Sequence, residues 1–109
     1  MQIIEEKTAR IAVTKGDSAY FTIELDGTVP ADGTQALFTV KKDTDGQALI
    51  LKRLSVEEGK VLIALASKDT NKLKPGKYVW DLRLIISEDH VDTPIQPTQF
   101  LVMGAVGDV

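Results

Sequence analysis

Apolar and polar residues alternate with a period of two along most of this chain. The segment "YFTIEL" (residues 20–25) sets Phe21, Ile23 and Leu25 on one side and Thr22 and Glu24 on the other, the pattern of a half-buried β-strand. "QALFTVKK" turns Ala36, Phe38 and Val40 inward, and "KVLIALA" does the same with Val61, Ile63 and Leu65. In "YVWDLRLII" the inward set is Tyr78, Trp80, Leu82 and Leu84, against Val79, Asp81 and Arg83. A helical period is nowhere held for more than a turn or two. Turn signals separate the runs: Lys15-Gly16-Asp17, Asp26-Gly27, Asp32-Gly33, Asp45-Gly46, Glu58-Gly59 and Pro75-Gly76. Their spacing, a strand plus a turn, is that of sandwiches and barrels. The pattern predicts strands over 2–6, 10–14, 19–25, 35–42, 47–54, 60–66, 76–86 and 91–102, with no internal repeat or low-complexity segment.

The stretch "SKDTNKLKPGKY" interrupts the strands. Ser67 is a candidate N-cap, and a Pro-Gly stop follows Leu73, so one short helical turn is expected. Immediately after it comes Tyr78. In Ig-like sandwiches a tyrosine opening the penultimate strand often hydrogen-bonds back across the corner just turned, and Tyr78 is the candidate here. Tyr78 and Trp80 share their face with Leu82 and Leu84, which argues for core rather than an exposed stacking platform. The expected core is Tyr78, Trp80, Phe21, Phe38, Ile63 and Phe100.

The last segment, "HVDTPIQPTQFLV", contains Pro94 and Pro97. Each removes an amide donor that a central strand would supply, so an edge or interrupted strand is expected. Leu62, Val79 and Ile85 alternate to the outer faces of their strands, where an apolar side chain has no partner within the domain. They are the candidate interface residues, through which the chain self-associates or docks on another subunit by an outer sheet face or a terminal edge.

Composition narrows the function classes. The 109 residues suit a single domain spanning 1–109, large enough to bury roughly two-thirds of its unfolded surface. Cysteine is absent, which removes thiolate catalysis, disulfides and zinc–cysteine sites. A formal charge of −3 and a pI near 5.1, with scattered basic residues, argue against nucleic acid and acidic membranes as partners. No apolar run approaches the roughly 18 residues of a membrane span. The start "MQIIEEKTARIAV" lacks a basic region ahead of an apolar core, so the chain is expected to be intracellular at synthesis.

Catalytic constellations are thin. His90, the one histidine, sits in "SEDHVD" beside Ser87, Asp89 and Asp92. A single hairpin turn does not supply nucleophile, base and orienter from separate supports. "DTDG" at Asp43 to Gly46 starts like a calcium loop, but the twelfth position, which must be a carboxylate, is Leu54, so a hairpin turn is expected. "KGD" at Lys15 to Asp17 also reads as a turn. "VEEGK" at Val56 to Lys60 lacks the paired glycines of a phosphate loop. No catalytic, cofactor-binding or metal residues are assigned, no cofactor is expected, and the chain is not expected to be an enzyme.

Set side by side, "RIAVTKGDSAYFTIEL", "ALFTVKKDTDGQALILK" and "GKVLIALASKDTNKLKPGKYVWDLRLI", followed by a terminal strand, resemble the small Ig-like module of phage and prophage tail proteins. The N-terminal domain of baseplate upper proteins is the nearest form. Gly16-Asp17, Phe38-Thr39-Val40-Lys41 and Leu73 to Leu82 match, and coverage is most of residues 10–102. The turn Ser87-Glu88-Asp89-His90 departs from the Asp-Gly usual in such modules. No large second domain follows Val102, which would leave the partner-binding half of a baseplate protein absent. The resemblance implies an all-β fold, an Ig-like antiparallel β-sandwich of about seven or eight strands. It also implies a non-catalytic structural or assembly role, virion-associated or in host cytoplasm during assembly, with other tail subunits or a second copy as partner. The alternative is a bacterial surface or carbohydrate-binding Ig-like module, which would need a secretion signal or exposed aromatics.

Overall fold

Each period-two run forms a strand. A computed structural model describes residues 2–4, 9–25 and 30–104, in the order β1 (Gln2–Ile4), β2 (Ile11–Thr14), β3 (Ala19–Glu24), β4 (Gln35–Lys41), β5 (Ala48–Ser55), β6 (Lys60–Leu65), α1 (Ser67–Asn71), β7 (Gly76–Ser87) and β8 (His90–Met103). The expected strand end at 5–6 and the Asp26-Gly27 turn lie outside the described residues. The fold is all-β. A six-stranded sheet has the order β1-β2-β8-β7-β4-β5, and β3 pairs with β6 in a two-stranded sheet.

The antiparallel expectation needs one correction, because β2 runs parallel to β8 over Ile11–Thr14 and Phe100–Met103. Side-chain alternation is identical for either direction of pairing, so the pattern carries no sign of this. For the last strand the edge alternative is overturned and the interrupted one holds: β8 lies inside the sheet between β2 and β7, with register shifts at both prolines.

The prolines show how β8 divides. Its end at 100–103 has a strand on both sides, whereas among the described residues 90–99 pair only with β7. Between Trp80 and Leu82 the register advances from Thr98 to Ile95, so Asp81 faces both Gln96 and Pro97. Between Leu82 and Leu84 it advances from Ile95 to Asp92, so Arg83 faces Thr93 and Pro94. Each proline thus occupies a β-bulge, where the missing amide leaves no ladder bond unmade.

The turns follow their residues. Glu58 and Gly59 both have positive φ, +51° and +74°, and Glu57 and Lys60 exchange two backbone hydrogen bonds of 2.9 Å around them, as a primed two-residue turn requires. At "DTDG" the Asp43 carboxylate accepts from the Asp45 amide at 3.0 Å and the Asp43 carbonyl from Gly46 N–H at 3.1 Å. This is an Asx-type hairpin turn.

Buried residues of both sheets belong to one apolar cluster that includes Phe21, Ile63, Phe38, Trp80, Leu82 and Phe100. Trp80 is 1% exposed, so no stacking platform exists on its face. Phe38 lies at its centre, its ring centroid 5.4 Å from Trp80 and 6.3 Å from Phe100, both tilted.

The helical turn α1 seals one end, with a correction to its cap. Ala66, extended at φ −78° and ψ 159°, is the N-cap, and Ser67 is the first helical residue. Asp69 accepts from the Ala66 amide at 2.8 Å, half of a capping box. The Ser67 hydroxyl instead donates to the Gly16 carbonyl at 2.6 Å. Thr70 joins the same corner, accepting from Gly16 N–H at 3.0 Å and donating to the Asp17 carbonyl at 2.7 Å. The Lys15 ammonium donates to the carbonyls of Asn71 and Leu73, satisfying the C-terminal end of the turn. Gly16, at φ +88°, is the position where β2 leaves one sheet for β3 of the other.

Candidate interaction surfaces

The β7–β8 turn holds the residues that a hydrolytic reading would use. Ser87 stands opposite His90 in the register, and His90 Nε2 lies 3.4 Å from Asp92 Oδ1 with both side chains more than half exposed. Ser87, Glu88 and Asp89 are exposed as well. The group is exposed to solvent, which screens its charges. Among the described residues no set of three or more His, Cys, Asp or Glu side chains is arranged to hold a metal ion. No helix among them is long and apolar enough to cross a membrane.

Asp69 sits in an environment that shifts its ionisation. Burial by itself raises its pKa. The hydrogen bond from Lys52, the Ala66 amide and the charges of Lys52 and Lys72 outweigh that and hold the carboxyl below its ordinary 3.8. The Lys52 Nζ–Asp69 Oδ2 distance is 2.9 Å. The pair ties the edge strand β5 to α1 and is structural.

Leu62, Val79 and Ile85 do not form one patch. Leu62, 57% exposed, lies on the outer side of the two-stranded sheet, where Tyr20 is 62% exposed. The register puts Thr22 opposite Leu62 and Ala64 opposite Tyr20, so the two large side chains are diagonal neighbours within reach of each other. Val79 and Ile85 are half-buried on the outer side of the six-stranded sheet, six residues apart on β7.

That larger face is built in cross-strand rows. One row is Leu51–Thr39–Asp81, the next Arg53–Leu37–Arg83, and flanking them Lys41–Val79–Gln99 and Ser55–Gln35–Ile85–Val91. Leu51 is 48% exposed and Val91 51%. Its described charges are the cations Lys41, Arg53, Lys77 and Arg83 and the single carboxylate Asp81, on a chain whose formal net charge is −3. A shallow depression at its centre is lined by Thr39, Lys41, Val79, Asp81, Arg83 and Pro97. Asp81 Oδ2 is 3.7 Å from Arg83 Nε. Its Oδ1 is buried and accepts no hydrogen bond among the described residues, although buried polar atoms are as a rule paired.

Sequence reasoning named Val79 and Ile85 on this face but not Leu51, Arg53 or Asp81. Alternation did place Asp81 and Arg83 outward. Nothing in the alternation places Arg53 beside Arg83 through Leu37, since that adjacency exists only once β4 lies between β5 and β7.

No protein-family model matches the chain, and no curated protein sequence matches it.

Proposed function

We infer that the chain is a non-catalytic structural module with an Ig-like β-sandwich fold that works in assembly, of the kind found in phage and prophage tails and baseplates. One observation carries the fold: the Tyr78 hydroxyl donates a 2.7 Å hydrogen bond to the Lys74 carbonyl, four residues upstream, the tyrosine corner of Ig-type domains. The strand order supports it. In that architecture strands C, F and G share one sheet and B and E share the other, and here β4, β7 and β8 lie side by side in one sheet while β3 pairs with β6. A body whose buried residues form core and whose outer faces carry apolar residues suits a partner-binding role better than chemistry. The motifs of the tail-module resemblance, Gly16-Asp17, Phe38 to Lys41 and Leu73 to Leu82, lie at the first corner, on β4, and from the second corner into β7. Partners are other tail subunits or a second copy, in the virion or in host cytoplasm during assembly.

The test is co-expression with the products of adjacent genes. A stoichiometric complex with a tail or portal-type neighbour is expected. Neighbours of cell-wall-anchor type with no such complex would overturn the reading. Light scattering over a concentration series reads self-association directly, and a clean 11.9 kDa species throughout would leave only a heterologous partner. The second reading, a bacterial surface or carbohydrate-binding Ig-like module, draws on Tyr20, an aromatic 62% exposed on the smaller sheet.

A further inference from the structure

The outer face of the six-stranded sheet differs in charge from the rest of the molecule. The chain as a whole carries 16 acidic and 13 basic side chains, yet the rows described above gather Lys41, Arg53 and Arg83 around a single carboxylate, with Lys77 opposite Leu101 farther along the same face. Leucines and valines sit between those cations: Leu37 lies directly between Arg53 and Arg83, and Val79 pairs with Lys41. Self-association of this face with its own copy would set cation against cation across a two-fold axis, which is unfavourable.

We propose that this face is a docking surface for a protein of acidic surface with an apolar centre, its carboxylates meeting Lys41, Arg53 and Arg83 and its apolar residues covering Leu37, Leu51 and Val79. The inference rests on the assembly reading above and specifies the partner's chemistry. Asp81 selects among polyanions. Its carboxylate lies in the depression beside Pro97, 3.7 Å from Arg83 Nε and 15% exposed. A protein surface supplies a backbone or side-chain N–H to the exposed edge of that carboxylate. A nucleic acid would bring a phosphate against it, and this face has no exposed aromatic side chain on which bases stack. The bulge opposite Asp81 re-aims backbone and side chain locally, as bulges do beside binding sites.

The experiment titrates the isotope-labelled full chain with three probes: an amphipathic peptide of Glu and Leu only, the same peptide with Lys for Glu, and a short duplex DNA. Amide shifts are followed by NMR at about 150 mM salt, where weak long-range attraction is screened. Expected are saturable shifts at Leu37, Thr39, Val79, Asp81 and Arg83 with the Glu-Leu peptide alone. Arg53→Glu with Arg83→Glu should weaken that binding by roughly tenfold or more, while Lys60→Glu on the other sheet leaves it unchanged. All of these side chains are exposed, and an unaltered urea midpoint would show that the variants fold. Shifts confined to the Tyr20 and Leu62 face, equal binding of DNA, or indifference to the double reversal would each overturn the proposal. If Leu62→Asp, and not the double reversal, abolishes a complex with an adjacent-gene product, this surface is wrong and the assembly reading stands. If no such complex forms yet the peptide docks as described, the surface stands and the assembly reading fails.

Discussion

The indole Nε1 of Trp80 donates a 2.8 Å hydrogen bond to the carbonyl of Ala9, 71 residues earlier in the chain. Ala9 holds the left-handed backbone region, at φ +56°, so the chain entering β2 is bent at the point where the largest core side chain grips it. The bond joins the middle of β7 to the start of the strand that runs parallel to β8. It satisfies the one polar atom of a ring that is otherwise wholly packed among Phe38 and its neighbours.

Trp80→Ala should therefore cost about 3–5 kcal/mol, the range for a fully buried large aromatic, a large part of the about 5–15 kcal/mol typical of a small domain. Trp80→Phe should cost less, since it keeps most of the packing and loses the donor to Ala9. Urea midpoints of the two variants check this. A midpoint for Trp80→Ala equal to the parent's would mean that the β7 face is assigned the wrong way round.

Tyr78→Phe keeps the ring under the Lys42 ammonium, which lies 4.7 Å from its centroid, and removes only the hydroxyl that closes the corner. The expected loss is about 0.5–1.5 kcal/mol, the net contribution of one such bond. Amide exchange should rise at residues 73–77, and unchanged protection there would show that the corner is held by other contacts.

Asp69 gives the fold a defined acid limb. Its folded pKa is depressed below 3.8, so the unfolded chain takes up the proton first as pH falls. The stabilisation is fully present above the unfolded value and is lost as pH drops through 3.8 toward the folded value. Asp69→Asn should lower stability near neutrality by about 0.5–2 kcal/mol, the range for losing a cap, with the deficit shrinking below that pH. Denaturation curves collected across the acid range would contradict the sign if the deficit grew instead.

At Glu58 a substitution should help. Its φ of +51° is strained for a residue with a long side chain, and Asn adopts that region more readily. Glu58→Asn should raise stability by up to about 1 kcal/mol while retaining the Glu58 amide's bond to Asp32, 2.9 Å in the parent. A lower urea midpoint would indicate that the Glu58 side chain contributes something the turn geometry does not reveal.

How far the fold was legible varies from residue to residue. Val61, Ile63 and Leu65 face inward as their spacing predicts, and Pro94 and Pro97 mark the half of β8 with a single neighbour. The residue type of Ser67 favours the cap position, but Ala66 occupies it and Asp69, three residues beyond, accepts from the Ala66 amide. The difference arises because Ser67 finds the Gly16 carbonyl, 51 residues away in the chain, a partner that a local rule does not contain.

Strand positions and the side each residue faces were determined by the sequence itself, because alternation is a property of the extended backbone at every residue and needs no knowledge of the neighbouring strand. The Tyr78 corner belongs to the same class, since its bond spans four residues. Strand order, the parallel pairing of β2 with β8, the rows that bring Arg53, Leu37 and Arg83 together, and the separation of Leu62 from Val79 and Ile85 were decided only in three dimensions. They depend on which strand fills each vacant edge, and that choice is made by the burial of both sheets' inner residues in one apolar cluster, summed over the whole chain.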